Sequence, residues 1–409
     1  MNNVIVILAL VVLGALALQC VLRLLDTLAR QKHQAKARGF EQKRWESDLA
    51  REQLKLQRAA SQSEHGWTGF RKFQVQKKVL EDETKQICSF YLFPHDGRPL
   101  PEFNPGQFLT FSLDVPGQKK AVVRCYSLSD GPDSDYYRVS IKRVPNGISS
   151  NHFHDNIHEG DIVDVRAPNG VFHINMEDNF PIVLIAGGVG ITPCMSMMNA
   201  VIRSGSDRQV ALFYAVKDVN EIAMREHLDR VNVEYPNVQV HYCCSAPAEP
   251  LPDAPNFHEG RLSTDLMGQI LGSSNFDYYM CGPPPMMEGM KKALGEWGVP
   301  KEHVHYEAFG GAAIPKPAPA DAGAGGKITF SRSGKSLDWD ASAGTLLEFV
   351  EDNDIAMDCA CRAGNCGSCM TAIREGKVKY LKDPEFDDLQ EGSVLPCICQ
   401  PDGDITLDA

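Results

Sequence analysis

Four cysteines late in the sequence have a spacing that suits iron–sulfur chemistry. Cys361, Cys366 and Cys369 follow one another as C-x4-C-x2-C, and Cys397 comes later. Thiolates at this spacing hold [2Fe-2S] clusters, and glycines between them let the backbone turn tightly around the metal. A structural zinc site or a set of buried thiols is the alternative. Zinc sites usually pair C-x2-C with a second two-ligand knuckle, and none follows here.

Two further cysteines make the choice of ligands ambiguous. Cys359 lies two residues before the first ligand and Cys399 two residues after the last. The x4/x2 spacing favours Cys361 over Cys359. The preference for Cys397 rests on the segment LPCICQP, which resembles the L-x-C-x3-P segment that carries the fourth ligand in plant-type ferredoxins.

Composition narrows the class of protein. A chain of 409 residues is long enough for two to four domains. Its net charge of −12 argues against nucleic acid as a partner. The thirteen cysteines are scattered through a large chain, unlike a disulfide framework, and this distribution predicts a reducing compartment.

The N-terminal residues 1–25 are predicted to be a membrane anchor. Val4 to Leu25 is almost wholly apolar and has about the twenty residues that a spanning helix needs. A cleaved signal peptide is the alternative, but no positive charge precedes the apolar run. Basic residues from Arg23 to Arg44 place the following chain on the cytoplasmic side. Residues 26–65 favour a helical stalk, whose basic half either contacts anionic lipid or is simply solvated.

Residues 66–176 change to short alternating strands separated by turns, which predicts an antiparallel β-barrel. Within it, the strand segment Arg124-Cys-Tyr-Ser127 places Arg124 and Tyr126 on one face. These side chains offer a cation for a phosphate and a ring for a flat cofactor. Gly147 to Ser150 predicts the N-cap and first turn of a helix, where free N–H groups suit a pyrophosphate.

Taken in order, R-x-Y-S, the helix start G-x2-S and the segment APNGVF (residues 167–172) resemble the flavin-binding barrel of the ferredoxin-NADP reductase superfamily. The resemblance covers roughly Trp67 to Gly310. It implies FAD, with FMN as the alternative, and a catalytic place for Tyr126 and Ser127 beside the flavin ring. The flavin-binding residues that it implies are Arg124, Tyr126, Ser127, Ile141, Lys142, Gly147, Ser149 and Ser150.

Residues 177–310 alternate strands and helices, which predicts an open, doubly wound α/β domain. Its first buried strand leads into the turn GGVGITP (residues 187–193), where glycines let backbone N–H groups approach a pyrophosphate. This turn and the later segment CGPPPM resemble the nucleotide-binding segments of the same superfamily. The implied nucleotide-side residues are Gly187, Gly188, Gly190, Thr192, Pro193, Cys281, Gly282, Pro283 and Met286, with Cys281 and Glu307 at the catalytic centre and Phe309 near the flavin ring.

The choice of pyridine nucleotide is predicted from one position. A 2'-phosphate requires a dedicated cation, and NADP-selective relatives commonly offer a Ser-Arg pair after the strand that matches Val238 to Cys244. This chain has Ser245-Ala246 there. We therefore expect NADH rather than NADPH, although Lys217 and His241 lie near enough in sequence to change that preference.

Residues 311–326 are rich in Pro, Ala and Gly and predict a linker on which the flanking parts can swing. Residues 327–409 have the length of one ferredoxin and resemble the β-grasp fold of plant-type ferredoxins. An acidic run, comprising Asp383, Glu385, Asp387, Asp388 and Glu391, is either a docking face for a basic acceptor or solvated surface.

The order flavin, nucleotide and ferredoxin resembles the reductase components of Rieske-type oxygenases and the reductase of the hybrid cluster protein. It implies an NADH-dependent reductase that converts hydride pairs into single electrons for a protein acceptor. The predicted anchor departs from those mostly soluble relatives and favours a membrane-bound oxygenase, hydroxylase or desaturase as partner. A respiratory subunit that reduces quinone and a redox-sensing module are the alternatives.

Overall fold

The structure, a computed structural model, describes residues 65–132, 135–308, 326–340, 343–353, 367–384, 386 and 389–409, with single residues 355, 357, 359, 362 and 364. The predicted anchor, nearly all of the stalk and the linker up to residue 325 lie outside these residues, as do Phe309, Cys361 and Cys366. Within the described ranges, no helix combines the length and apolarity needed to cross a bilayer. The described domains belong to one compact unit, Ser61–Ala409.

An antiparallel barrel comes first. Its strands are β1 (Arg71–Leu80), β2 (Ile87–Pro94), β3 (Phe108–Leu113), β4 (Val122–Ser127), β5 (Tyr137–Lys142) and β6 (Ile162–Asn169), in the order β4-β3-β6-β1-β2-β5. A bridge between Leu128 and Val139 brings the two outer strands together. Alternation drives the fold: Phe73 and Val75 are fully buried, whereas Lys72 is exposed. Helix α1 (Ile148–Asn156) follows β5 and packs Phe153 into the barrel core.

A parallel sheet with crossover helices follows. Its elements are β7 (Ile182–Gly187), α2 (Ile191–Arg203), β8 (Val210–Val216), α3 (Arg225–Glu234), β9 (Val238–Cys244), β10 (Phe257–Glu259), α4 (Thr264–Leu271), β11 (Asp277–Gly282), α5 (Pro284–Glu296) and β12 (Val304–Ala308). The strand order is β10-β9-β8-β7-β11-β12. The strand order therefore reverses at β7, which lies between β8 and β11, and such switch points form ligand crevices at the carboxyl ends of parallel strands.

The last domain is built on small mixed sheets around a short helix. The elements are β13 (Lys327–Phe330), β14 (Ser336–Asp338), α6 (Leu346–Asp352), β15 (Thr371–Glu375), β16 (Val378–Tyr380), β17 (Ser393–Val394), β18 (Cys399–Pro401) and β19 (Ile405–Leu407). One sheet has the order β14-β13-β19-β15-β17, and β16 pairs with β18. A capping box between Thr345 and Glu348 begins α6.

The predicted barrel, doubly wound domain and ferredoxin-like domain are confirmed in outline. One local prediction is wrong: the sequence pattern favours a helix from Ile222 to Val231, but α3 begins at Arg225, because Val219–Glu221 forms a 3-10 turn and Met224 takes a left-handed conformation with φ of 57°. The short edge strand Phe257–Glu259 was not predicted, since three residues carry little alternation.

Candidate functional site

The glycine turn after β7 lies against the end of β11. A Cβ atom on Gly190 would come within 2.1 Å of the Cys281 carbonyl oxygen. A Cβ on Gly187 would lie 2.7 Å from the Met286 sulfur, and one on Gly282 would lie 2.6 Å from the same side chain. At Gly190 the clash is with backbone, so this position requires glycine, whereas at Gly187 and Gly282 the closest atoms belong to the Met286 side chain. The two predicted nucleotide segments therefore form one closely packed cradle.

Helix α2 begins directly at this turn and presents its N-terminus there. Gly190 is the N-cap and forms no side-chain cap bond, while the N–H of Ile191 bonds to the Gly188 and Val189 carbonyls of the preceding 3-10 turn. Thr192 is buried, and its hydroxyl donates to the Val189 carbonyl at 3.0 Å, which fixes the turn. Pro193 lies in the first turn, where a missing N–H does no harm. Lys142 approaches from β5, its Nζ 3.9 Å from the Cβ position of Gly188.

The predicted flavin strand is β4. The Tyr126 hydroxyl hydrogen-bonds Ser149 at 2.8 Å, and its ring packs edge-on against Phe111 and Phe153. Burial raises the pKa of Tyr126, so the phenol stays protonated. Arg124 is exposed, and one of its guanidinium nitrogens donates to the Val123 carbonyl. A fixed aromatic ring and a solvent-facing cation therefore share one strand.

Helix α1 offers a second N-terminus beside this strand. Gly147 is its N-cap without a side-chain cap bond, and a Cβ there would come within 2.5 Å of the Ser150 hydroxyl. The Ser150 hydroxyl accepts from the Val144 N–H. His154, near the end of the helix, lies with Nε2 2.9 Å from the Ile141 carbonyl oxygen and joins α1 to β5. The predicted flavin-side residues are thus gathered around one helix start and one strand.

Residues from the two domains meet where hydride transfer is predicted. The Ser127 hydroxyl donates to Glu307 at 3.4 Å, and both side chains are buried. Glu307 on β12 is the register partner of Cys281 on β11. Burial, with a smaller contribution from Glu307, raises the pKa of the Cys281 thiol well above its usual range. Ser127, Cys281 and Glu307, which are far apart in sequence, therefore line one water-poor junction.

Two of the four predicted cluster ligands are described. Cys369 and Cys397 are both buried in one small apolar group with Leu395 and Ile398. Cys399 instead packs in the main core of the ferredoxin-like domain.

The backbone around these thiols is tight. Gly364 and Gly367 have φ of 79° and 68°, which side-chain-bearing residues rarely adopt. A Cβ on Gly364 would come within 2.4 Å of Ile398. Buried thiols in a glycine-turned loop fit a [2Fe-2S] cluster.

Two site residues escaped the sequence reasoning. Cys125, the variable position of R-x-Y-S, is half-buried, and desolvation raises its pKa to about 12. The Asp218 carboxylate follows β8 and accepts the Ala248 N–H at 2.7 Å, which joins two loops at the carboxyl edge of the sheet. An acidic residue after the second strand of a nucleotide domain was the available signal for Asp218. Nothing local distinguished Cys125.

Comparison with known proteins assigns a domain to each region. Residues 73–174 match the oxidoreductase FAD-binding domain family, 184–292 the oxidoreductase NAD-binding domain family, and 328–402 the 2Fe-2S iron-sulfur cluster binding domain family. Each of the three predicted cofactors thus has a matching domain, and this confirms FAD, a pyridine nucleotide and [2Fe-2S] as the set. The residues of the cradle, the two helix starts and the thiol loop lie within or beside these matches.

Relatives share these domains in different combinations. A flavohemoprotein of Bacillus thuringiensis subsp. konkukian is 43% identical over 260 residues, which are 62% of this chain and 64% of that protein. This chain therefore spans less than two thirds of that relative. Phthalate dioxygenase reductase, described as a modular structure for electron transfer from pyridine nucleotides to [2Fe-2S], is 27% identical with a TM-score of 0.54 and covers 83% of this chain and 98% of its own. The FAD/NAD-binding domain of a Vibrio cholerae nitric oxide dioxygenase, also 27% identical with a TM-score of 0.54, covers 59% of this chain and 100% of its own.

Proposed function

We propose that this chain, which combines oxidoreductase FAD-binding and NAD-binding domains with a 2Fe-2S domain, is an NADH-dependent reductase that delivers single electrons to a protein acceptor. The observation that carries the proposal is the contact between Ser127 and Glu307, which joins the end of the flavin strand to the nucleotide domain. Enzymes that transfer hydride need the two cofactors in contact and shielded from water. The buried junction of Ser127, Cys281 and Glu307 meets that need.

The residues of this chain bind and orient, and bound FAD supplies the step from paired to single electrons. Arg124 and the start of α1 would hold the flavin phosphates, and Tyr126, fixed by Ser149, would bind the flavin ring. The glycine turn before α2 and the cradle formed by Gly187, Gly190 and Gly282 would hold the nucleotide pyrophosphate. Cys281 stays a neutral thiol at the closed junction and so places no charge beside the nicotinamide.

NADH is the proposed electron donor. Ala246 provides no cation at the carboxyl edge of the sheet, and its N–H is occupied by the Lys217 carbonyl at 2.8 Å. Asp218 lies in the same pair of loops, and hydrogen bonds from Ala248 and Asn220 lower the pKa of its carboxyl. A fixed negative charge at this edge suits a ribose hydroxyl and opposes a 2'-phosphate.

The acceptor is proposed to be an oxygenase, hydroxylase or desaturase. The support is the similarity to phthalate dioxygenase reductase over 83% of the chain. The apolar run from Val4 to Leu25 and the basic residues after it support a single-pass anchor with the catalytic domains on the cytoplasmic side. An anchored reductase meets a membrane-bound partner in two dimensions, so we favour a partner in the same membrane.

Rapid mixing of the full-length chain with NADH under anaerobic conditions tests the proposal. Flavin absorbance should fall first and cluster absorbance second, and cytochrome c added as a one-electron acceptor should then be reduced. NADPH should reduce the flavin far more slowly. Reduction of the cluster without prior reduction of the flavin, or no bleaching by NADH, would contradict the proposal. Co-purification from detergent-solubilised membranes then identifies the acceptor.

A further inference from the structure

Strand β4 has a second face that contacts the ferredoxin-like domain. Tyr126 packs against the barrel core, whereas Val123 and Cys125 lie on the other face of the strand by alternation. Val123 packs against the apolar group that contains Cys369 and Cys397. The strand that carries the predicted flavin residues is therefore also in direct contact with the surroundings of the predicted cluster.

A hydrogen bond lies at the centre of this contact. The Cys125 thiol donates to the backbone carbonyl of Cys359 with a sulfur–oxygen distance of 3.6 Å. The Thr110 hydroxyl, on the neighbouring strand, lies 3.2 Å from the same sulfur and fixes its position. Cys359 is two residues before the predicted ligand Cys361, and Cys125 is the residue before Tyr126. One side-chain contact thus links the flavin strand to the start of the cluster loop.

A charged contact lies beside it. The Lys120 ammonium donates to the carbonyl oxygens of Asp352 at 2.7 Å and Glu351 at 3.3 Å. These carbonyls end helix α6, where the helix dipole favours a cation and the last carbonyls lack helical partners. The side chain of Glu351 pairs with Arg362 of the cluster loop. Lys120 therefore binds the ferredoxin-like domain through the helix that supports the cluster loop.

We propose that Lys120, Val123 and Cys125 form a positioning surface, which holds the ferredoxin-like domain against β4 so that electrons pass from flavin to cluster in the docked state. The inference rests on the proposed function for its electron transfer, but the docking stands on the contacts alone. It adds a docked state to the expectation, drawn from the composition of residues 311–326, that the flanking parts can swing on the linker. A hydrogen bond from a charged group shifts such an equilibrium by roughly ten- to a hundredfold.

The test compares Lys120→Glu with Lys119→Glu in the full-length chain. Lys119 is the exposed neighbour with the same charge, and no hydrogen bond is found for it among the described residues. Lys120→Glu should raise the hydrogen-exchange rate of the amides at the end of α6 by roughly tenfold or more. Lys119→Glu should leave that rate unchanged. Cys125→Ala, which removes the thiol donor, should raise exchange around Cys359 in the same way.

Rapid mixing with NADH supplies the second measurement. In Lys120→Glu the reduction of the flavin should keep its wild-type rate, while the reduction of the cluster slows and responds to salt differently from wild type. The positioning surface would be refuted if Lys120→Glu and Cys125→Ala both kept the wild-type hydrogen-exchange rates and the wild-type rate of cluster reduction. If the wild-type cluster were never reduced by NADH, the proposed function would fail, and the exchange data would still decide the docking.

Discussion

Replacing Gly190 by alanine tests whether the two glycine segments form one cradle for the nucleotide. The backbone of Gly190 has φ of −61°, which alanine adopts without strain. The added methyl group would instead lie 2.1 Å from the Cys281 carbonyl oxygen and 2.8 Å from the Gly282 nitrogen. Both contacts are with backbone, so the turn and the end of β11 must separate by about 1 Å. A displacement of that size at a reacting centre costs about 100-fold in rate, or about 2.7 kcal/mol.

The assay is the rate of flavin reduction by NADH, measured with flavin and iron content checked in every preparation. Gly190→Ala should lose about 100-fold in kcat/KM for NADH and about 1–3 kcal/mol of unfolding free energy. Gly289→Ala is the matched control, because it adds the same methyl group on α5 with nothing within 4 Å. That control should keep its rate and gain up to about 1 kcal/mol. A Gly190→Ala protein that reduces its flavin at the wild-type rate would refute the cradle.

Three further predictions concern other parts of the chain. Asp130→Asn should cost about 1.5–3 kcal/mol of unfolding free energy, because Asp130 accepts from Asn199 and pairs with Arg203. Burial opposes the charge of Asp130, but Arg138 and Arg203 lower its pKa below the usual value. The greater unfolding free energy of the wild type should therefore be present at neutral pH and be lost as pH falls below about 4. Urea titrations of both proteins over this pH range would measure it. Ala246→Arg should improve kcat/KM for NADPH relative to NADH, in steady-state assays of both nucleotides. Cys366→Ser should abolish the cluster absorbance and spare the reduction of flavin by NADH; a retained cluster would refute the ligand assignment.

Local pattern predicted most of the fold because the decisive signals are short in range. In strand β1 the buried residues Phe73 and Val75 alternate with more exposed neighbours, as the apolar residues of the sequence do. Strand β7 was predicted as a buried strand from its continuous apolar run, and it is fully buried. The edge strand β10 and the start of α3 were not predicted, since both depend on pairing and turn geometry rather than on periodicity.

The candidate site likewise has parts that local sequence predicts and parts that depend on the folded structure. The glycine turn and the CGPPPM segment were identified separately from their residues, but their contact through Gly190 and Cys281 is a property of the folded sheet. Lys120 and Cys125 meet partners more than 230 residues away in the chain. No composition or spacing near Cys125 distinguishes a strand residue covered by another domain from one that faces solvent.

The stretch from Lys120 to Gly131 carries contacts to both neighbouring domains. Its first half binds the ferredoxin-like domain through Lys120 and Cys125. Its second half docks on helix α2, where the Ser196 hydroxyl donates to the Asp130 carbonyl at 2.8 Å. Arg124, Tyr126 and Ser127 lie between Lys120 and Asp130, so a displacement of either domain is transmitted to the flavin strand. We therefore expect Asp130→Asn to slow flavin reduction and Lys120→Glu to slow cluster reduction. If both variants slowed flavin reduction and cluster reduction to the same extent, β4 would not separate the two steps.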